Sequence, residues 1–237
     1  MRRLITADIR RILCKKEIYV FAFLLYAVLL AVKSKSDVED QIDLFQTMVT
    51  LLAIFFCIIP VFLTVYGDEI RTGAMQCVIG RGMSRRKVII SKLADCCILF
   101  VLMFLGFLCV FYFKNYMSDL VLSPKQNLMA LIYVLITCVR ATGYFAISGM
   151  LLFTSWNVAI GLTSNIMLVS VVVALTLIQD NTHISLADFW LDGLLSASYN
   201  DILIGNFPWK LILAVAVYIV GVVFLTGIIF DRKELDL

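Results

Sequence analysis

The side chains that could perform chemistry in this sequence are mostly charged residues lying between apolar runs. Segment 67–92 opens with the acidic pair Asp68-Glu69 and then carries six basic residues. The sequence has no glycine-rich run ending in Gly-Lys-Ser or Gly-Lys-Thr, no His-Glu-x-x-His and no Gly-x-Ser-x-Gly motif. We therefore expect no catalytic residues in this chain, and any nucleotide hydrolysis would come from a partner.

Residue types that bind metals are present, but their spacing does not favour a site. His183 is the single histidine and falls in a predicted loop. Cys96 and Cys97 are adjacent, so a helix would point them to different sides. All seven cysteines fall in apolar runs or in segments that we place in the cytoplasm. We expect neither a metal site nor a disulfide framework, and we interpret the cysteines as small packing residues.

Arg140 is the most unusual charged residue because it falls deep inside an apolar run. It lies about twelve residues into segment 128–153, which is about 18 Å along a helix and near the middle of a bilayer. A charge at that depth costs at least about 2.5–3.5 kcal/mol, so it should face protein or water. Two roles remain open: Arg140 either lines a translocation pathway or forms an intramembrane pair with Asn165, backbone carbonyls or a second subunit.

The elements that position these residues are predicted to be membrane-spanning helices. Of 237 residues, 62% are hydrophobic and 16% are charged, whereas soluble domains are markedly less apolar. Because lipid offers no water to the backbone, runs of about 20 apolar residues form helices. We predict one all-α membrane domain over residues 1–237 with six spans: 18–32, 44–66, 93–113, 128–153, 158–178 and 211–230.

Three features shape these spans and their connections. Pro60 removes a backbone donor in the second span and should kink it, either as a hinge or as a static bend. Residues 154–157 are too few for more than a tight turn, so the fourth and fifth spans form a helical hairpin. Segment 179–208 is long and amphipathic, and we predict one or two re-entrant helices there on the external side.

The distribution of basic residues predicts an amphipathic first helix and an orientation. Residues 1–17 place apolar side chains on one helical face, which suits a helix on an anionic membrane surface. Four arginines cover much of its other face: Arg2, Arg3, Arg10 and Arg11. A cleaved signal peptide is the alternative, but no small-residue cleavage site follows residue 32. Basic residues concentrate at both termini and in segment 67–92, so we place all three in the cytoplasm.

Segment 67–92 itself consists of three parts: the residues that follow the second span, a short helix, and the start of the helix that continues into the third span. We predict a short helix over residues 71–79 that is broken by the following glycines. One side of this helix is apolar and carries Met75, Val78 and Ile79. Ser84 is a good N-cap for the next helix. Two interpretations remain open: the short helix docks a partner, or it rests on lipid.

The residues of this segment resemble a known family. Glu69-Ile-Arg71-Thr-Gly73, the short helix, Ser84-Arg85 and Ser91-Lys92-Leu93 are similar to the first cytoplasmic loop of ABC-2 type permeases. These permeases are the membrane subunits of one class of ABC exporter and include bacitracin- and lantibiotic-resistance permeases. The order Thr72-Gly73 is the reverse of the usual Gly-Thr of the family.

The resemblance implies a division of labour between subunits. A separate cytoplasmic ATPase would bind ATP and Mg²⁺, and this chain would bind no cofactor and no nucleic acid. A second permease chain, identical or related, would complete the pathway in a bacterial plasma membrane. The resemblance assigns ATPase coupling to six residues: Glu69, Arg71, Gly73, Met75, Val78 and Ile79.

Two other classes of function share the predicted topology. One is a membrane-embedded peptide-processing enzyme, although no catalytic constellation supports it. The other is an accessory or sensor membrane protein that transports nothing, and only the identity of its partner would separate it from a permease. The substrate cannot be read from the sequence, although the resemblance favours a peptide or another amphipathic molecule.

Overall fold

The computed structural model describes residues 2–32, 38–53, 57–120, 122–182, 191–204 and 208–232. All regular secondary structure in these ranges is helical. Three helices are long and apolar enough to cross a membrane: Arg85–Met117, Pro124–Ser155 and Trp209–Arg232. The structure is therefore compatible with an all-α membrane protein, and three of the six predicted spans meet the length and composition that a crossing requires.

Eleven α-helices and the π-helical turn Leu63–Gly67 are defined in the described ranges, and residues 57–58 are also π-helical. In chain order they are α1 Arg2–Leu13, α2 Lys16–Ala31, α3 Val38–Ala53, α4 Ile59–Phe62, the π-helical turn Leu63–Gly67, α5 Asp68–Arg71, α6 Ala74–Gly80, α7 Arg85–Met117, α8 Pro124–Ser155, α9 Val158–Thr182, α10 Leu191–Ile204 and α11 Trp209–Arg232. Each predicted span falls on one of these helices, except that the second is divided among α3, α4 and the π-helical turn.

Helices α7 and α8 form the centre of the bundle, and α1, α2 and α11 pack against α7. Aromatic side chains fill much of this centre. Phe100 and Phe104 of α7 stack with ring centroids 4.7 Å apart, and Phe145 of α8 meets Phe100 edge-on at 6.1 Å. With 33 residues, α7 is about 50 Å long, so it extends well beyond a hydrocarbon layer of about 30 Å.

The second predicted span departs from regular α-helical geometry near Pro60. Pro60 is buried near the start of α4, directly after π-helical residues 57–58, and it has no N–H to donate to the preceding turn. The hydroxyl of Thr64 donates to the Pro60 carbonyl at 2.8 Å, and the turn that follows is π-helical. Single π-helical turns are a recognised cause of helix irregularity. The predicted interruption at Pro60 is therefore present, and its action as a hinge stays a prediction.

The predicted hairpin of the fourth and fifth spans is confirmed. Helix α8 ends at Ser155, and Trp156 adopts a left-handed backbone with φ 57°. Helix α9 then starts at Val158. A Cβ on Gly161 would lie 2.7 Å from the Phe62 ring, so only glycine allows α9 to approach α4 this closely.

Predicted segment 179–208 includes the last turn of α9 and all of α10. Helix α10 packs against α8 and α11 through buried Leu191 and Leu195. The hydroxyl of Tyr199 accepts a hydrogen bond from Gln46 of α3 at 2.8 Å. Residues 183–190, with His183, and residues 205–207 lie outside the described residues.

Lys114 of α7 is buried at the end of α2. Its ammonium donates to the carbonyls of Leu29 and Val32, at 2.9 and 2.5 Å. These carbonyls have no partner within the helix because α2 ends there. A cation at a helix C-terminus also interacts favourably with the helix dipole. Lys114 therefore binds the free carbonyls at the end of α2.

Candidate functional site

Five charged side chains from three helices meet at one end of the bundle, and we call them the charged cluster. They are Asp8 and Arg11 of α1, Glu69 of α5, and Lys92 and Asp95 of α7. We call this end, which also holds α6 and the last turn of α11, the basic end. The cluster joins parts of the chain that lie up to 84 positions apart in sequence.

Lys92 lies at the centre of the charged cluster. Its ammonium donates to Asp8 Oδ2 at 2.5 Å and to Glu69 Oε1 at 2.6 Å, and it lies 3.6 Å from Asp95 Oδ2. The guanidinium of Arg11 donates to the same Glu69 oxygen. Lys92, Glu69 and Asp95 are only 3%, 4% and 0% exposed. One lysine therefore serves three carboxylates in a largely water-free environment.

Because the charged cluster is buried, the loss of any one of its ion pairs is costly. Removing one partner of a buried ion pair costs about 3–5 kcal/mol because the other charge stays uncompensated. Any displacement of α1 or α5 relative to α7 would separate such pairs. The charged cluster therefore holds these helices in register at the basic end.

A second ion pair joins Lys15, between α1 and α2, to Asp68 at the start of α5. The ammonium of Lys15 lies 2.6 Å from Asp68 Oδ2 and donates to the Thr64 carbonyl at 2.9 Å. The hydrogen bond from Lys15 lowers the pKa of the Asp68 carboxyl below its usual value. The loop after α1 is thus fixed to the π-helical turn and to the start of α5.

The helix predicted over residues 71–79 begins instead at Ala74. Gly73 adopts a left-handed backbone with φ 68°, which ends α5 at Arg71 and turns the chain into α6. This conformation is readily adopted by glycine and strains most other residues. The reversed order Thr72-Gly73 places the glycine where the left-handed turn requires it.

The apolar side of α6 packs against this chain's own core. Met75 is only 1% exposed, and Val78 and Ile79 are half-buried against the core. This side is therefore covered largely by the chain itself, and the docking of a partner by α6 stays a prediction. The exposed side carries Arg71 of α5 and Cys77 of α6, and Arg81 follows in the turn.

The hydrogen bonding at the start of α7 differs from the prediction. Ser84 occupies the N-cap position with an extended backbone, but its side chain makes no capping hydrogen bond. The basic residues that follow bind the end of α11. Arg85 donates to the Phe230 carbonyl at 2.5 Å, and Arg86 Nε donates to Asp231 Oδ2 at 2.9 Å. Their positive charges therefore interact favourably with the C-terminal end of the α11 dipole.

The arginines assigned to a membrane surface are placed differently from one another. Arg2 and Arg3 lie in the first turn of α1, and Arg10 is exposed on the same helix. Arg11 is partly exposed, but its guanidinium binds Glu69 within the charged cluster. Of these four residues, Arg11 therefore has a defined role in joining helices.

Arg140 and Asn165 are not neighbours. A Cβ on Gly161 would lie 3.0 Å from Leu152 Cβ, which fixes the antiparallel register of α8 and α9. This register places Asn165 level with Ser148, about 12 Å along the axis from Arg140. The Asn165 amide donates to the Gly161 carbonyl of its own helix at 3.2 Å. Arg140 itself is half-buried in α8.

Sequence reasoning missed most of the charged cluster. Asp8 is a single acid among the basic residues of α1, and Lys92 and Asp95 are one helical turn apart at the start of an apolar run. Both patterns were signals, since a charge near an apolar run needs a partner. The pairing itself could not be read, because it joins three separate helices.

In the described ranges, no three His, Cys, Asp or Glu side chains are grouped so that they could hold a metal ion. The cysteines are free thiols. Cys57 and Cys96 are buried, whereas Cys14, Cys77 and Cys109 are exposed.

The described part of the chain is helical and compatible with a membrane protein, and buried charges join its N-terminal helix to a long apolar helix. Comparisons of this chain with protein-family models, with curated proteins and with solved structures find no match.

Proposed function

We propose that this chain is the permease subunit of an ATP-driven ABC exporter. In this proposal it crosses a bacterial plasma membrane six times, with both termini in the cytoplasm. A separate ATPase binds ATP and Mg²⁺ at the basic end, and a second permease chain completes the pathway. The resemblance of segment 67–92 to ABC-2 type permeases suggested the proposal, and the charged cluster supports it.

The observation that carries the proposal is the connection between an exposed surface and a long apolar helix. The short segment with Arg71, Cys77 and Arg81 is exposed on its outer side. On its inner side, Glu69 binds Lys92 of α7, and Met75 packs into the core. A force on the outer side would therefore reach α7 through buried contacts, as ATPase coupling requires.

The energetic requirement is a difference between two bundle conformations. ATP binding can drive a change only if the ATPase binds one conformation more tightly than the other. Helices α1 and α5 are both fixed to α7 by the charged cluster. A movement that the ATPase imposes on one of these three helices would therefore also move the other two. The contribution of this chain is thus a surface and a rigid connection, while hydrolysis stays with the partner.

The presence of an apolar cleft favours an amphipathic molecule as the substrate. Helices α8, α10 and α11 enclose a cavity of about 390 Å³ that is lined almost entirely by aliphatic side chains. They include Ile136, Val139, Leu195, Ile212 and Val215. In this proposal the cleft accepts the apolar part of a peptide or similar molecule, and Arg140 follows the lining residue Val139 on α8.

The proposal is tested by co-expressing the chain with a P-loop ATPase encoded beside it and measuring the ATPase retained on purification. Glu69 is buried, so the informative change is on the surface: Arg71→Glu combined with Cys77→Arg. We expect retained ATPase to fall about tenfold or more, since a few central residues dominate most interfaces. The variant should fold, because neither side chain is buried.

Lys125→Glu, an exposed charge reversal at the start of α8, is the matched control and should retain the ATPase. Equal retention by the surface variant and the parent chain would contradict docking at α6. Failure of the parent chain to retain any such ATPase would contradict the exporter function as a whole.

A further inference from the structure

Helices α7 and α11 diverge after a close contact at the basic end and leave a groove between them. The contact is made by Gly227, where a Cβ would lie 3.4 Å from Arg86 Cγ. Beyond it the groove has a volume of about 430 Å³, and Ile90, Leu93, Ile219 and Val223 are among its walls. The groove is therefore apolar along its length, with one arginine at its mouth.

The position and length of this groove suit an acyl chain. Both of its helices are long and apolar enough to cross a membrane. From Ile219 to Gly227 the groove runs about 12 Å along α11, close to the thickness of one leaflet's hydrocarbon. In a bilayer, lipid is the solvent available to fill an apolar space that opens between two such helices.

The mouth of the groove suits a phosphate. Arg86 Nε donates to Asp231, and within the described ranges its two terminal amino groups have no hydrogen-bond partner. Arginine binds phosphate oxygens through such paired donors. Segments 85–87 and 231–232 together carry four basic residues and one acid, so the local charge attracts anions.

We propose that this groove binds one anionic glycerophospholipid from the leaflet at the basic end. Its phosphate contacts the terminal amino groups of Arg86, and one acyl chain lies between α7 and α11. The site does not depend on transport or on an ATPase. The bound lipid would connect the end of α11 to the start of α7. This part of α7 lies just before Lys92 of the charged cluster.

The test is native mass spectrometry of the purified full-length chain with added phosphatidylglycerol or phosphatidylcholine of the same acyl chains. We expect one phosphatidylglycerol per chain, bound more tightly than phosphatidylcholine. Arg86→Gln should weaken phosphatidylglycerol about fivefold, the effect of about one basic residue at a membrane surface. Val223→Trp fills the groove and should remove both lipids.

Matched variants separate binding from folding. Asp231→Asn breaks the same ion pair as Arg86→Gln but keeps the cation, so it should leave phosphatidylglycerol bound. Lys87→Gln removes a neighbouring exposed charge, and Val217→Trp enlarges an exposed residue of α11 outside the groove. We expect both to bind lipid as the parent chain does.

Three results would overturn the proposal. Equal binding of the two lipids by the parent chain would reject the headgroup contact. Unchanged binding by Val223→Trp would place the lipid elsewhere. Conversion of a dimer to a monomer by Val223→Trp, with the number of bound lipids unchanged, would show that the groove holds a second copy of this chain.

Discussion

At the scale of single residues, this protein depends on where its few charges are buried. Lys92 holds Asp8 and Glu69 together, although all three lie near the end of a helix bundle that is otherwise apolar. The sequence shows that these charges exist, and it shows that they border apolar runs. It does not show which charges meet, because pairing depends on the packing of α1 and α5 against α7.

The Lys15–Asp68 pair gives a pH dependence that can be tested. The pKa of Asp68 is lowered by its hydrogen bond from Lys15, so the folded state favours the ionised carboxyl. The stabilisation is therefore full above about pH 4, the usual Asp value, and is lost as pH falls through the lowered pKa. Asp68 is 63% exposed in its side chain, so the expected size is within about 1 kcal/mol.

The measurement is the thermal unfolding midpoint between neutral pH and about pH 2 for the parent chain and Asp68→Asn. The two curves should differ at neutral pH and converge in acid. Asp119→Asn is the control, because Asp119 is exposed and makes no ion pair within the described part of the chain. A constant difference at all pH values would show that the Asp68 effect is not electrostatic.

At the scale of helices, glycine positions decide which pairs approach closely. Gly106 of α7 faces Tyr26 of α2, and a Cβ at Gly106 would lie 2.0 Å from the Tyr26 hydroxyl oxygen. That hydroxyl donates to the Met103 carbonyl at 2.9 Å, so it cannot move without losing a hydrogen bond. Gly221 of α11 is also helical, but nothing lies within 4 Å of its Cβ position.

These two glycines form a matched test. Alanine improves helix propensity by about 1 kcal/mol at either position, so only packing distinguishes them. We expect Gly106→Ala to destabilise the protein by about 1–3 kcal/mol through overpacking. Gly221→Ala should be neutral or stabilising. Thermal unfolding in detergent measures both, and equal midpoints for the two variants would reject the close contact of α2 with α7.

The extent of the helices was largely predictable, whereas their irregular joints were not. Long apolar runs give helices because lipid and core alike exclude water from the backbone. The start of α6 was misplaced because the left-handed Gly73 ends α5, and a glycine can also be accommodated inside a helix. Ser84 was correctly placed before α7, but its side chain does not form the predicted cap.

At the scale of the whole molecule, helix α7 links the two ends of the bundle. Its start carries Lys92 of the charged cluster, and near its other end Lys114 closes α2. The end of α11 lies over the start of α7 through Arg85 and Arg86. The sequence predicted a basic end, but the neighbours of each helix could not be deduced from hydropathy.

The proposed orientation predicts the labelling of cysteines by a membrane-impermeant maleimide. In a background where the other six cysteines are alanine, Cys77 on α6 should react only after intact cells are permeabilised. The same background with Cys77→Ala and Lys125→Cys should react in intact cells, because the proposed topology places the connection between α7 and α8 on the outer side. Exposure of both positions favours reaction wherever the reagent reaches them. Labelling of both from the same side would reject the proposed topology.

The charged cluster also sets an order of events during synthesis. Asp8 is separated from Lys92 by 84 positions, so α1 leaves the ribosome long before its partner exists. At about 5–20 residues per second, the delay is about 4–17 seconds. During that interval the carboxylate of Asp8 has to remain in water or at the lipid headgroups. The ion pair that joins α1 to α7 therefore forms only after Lys92 has been made.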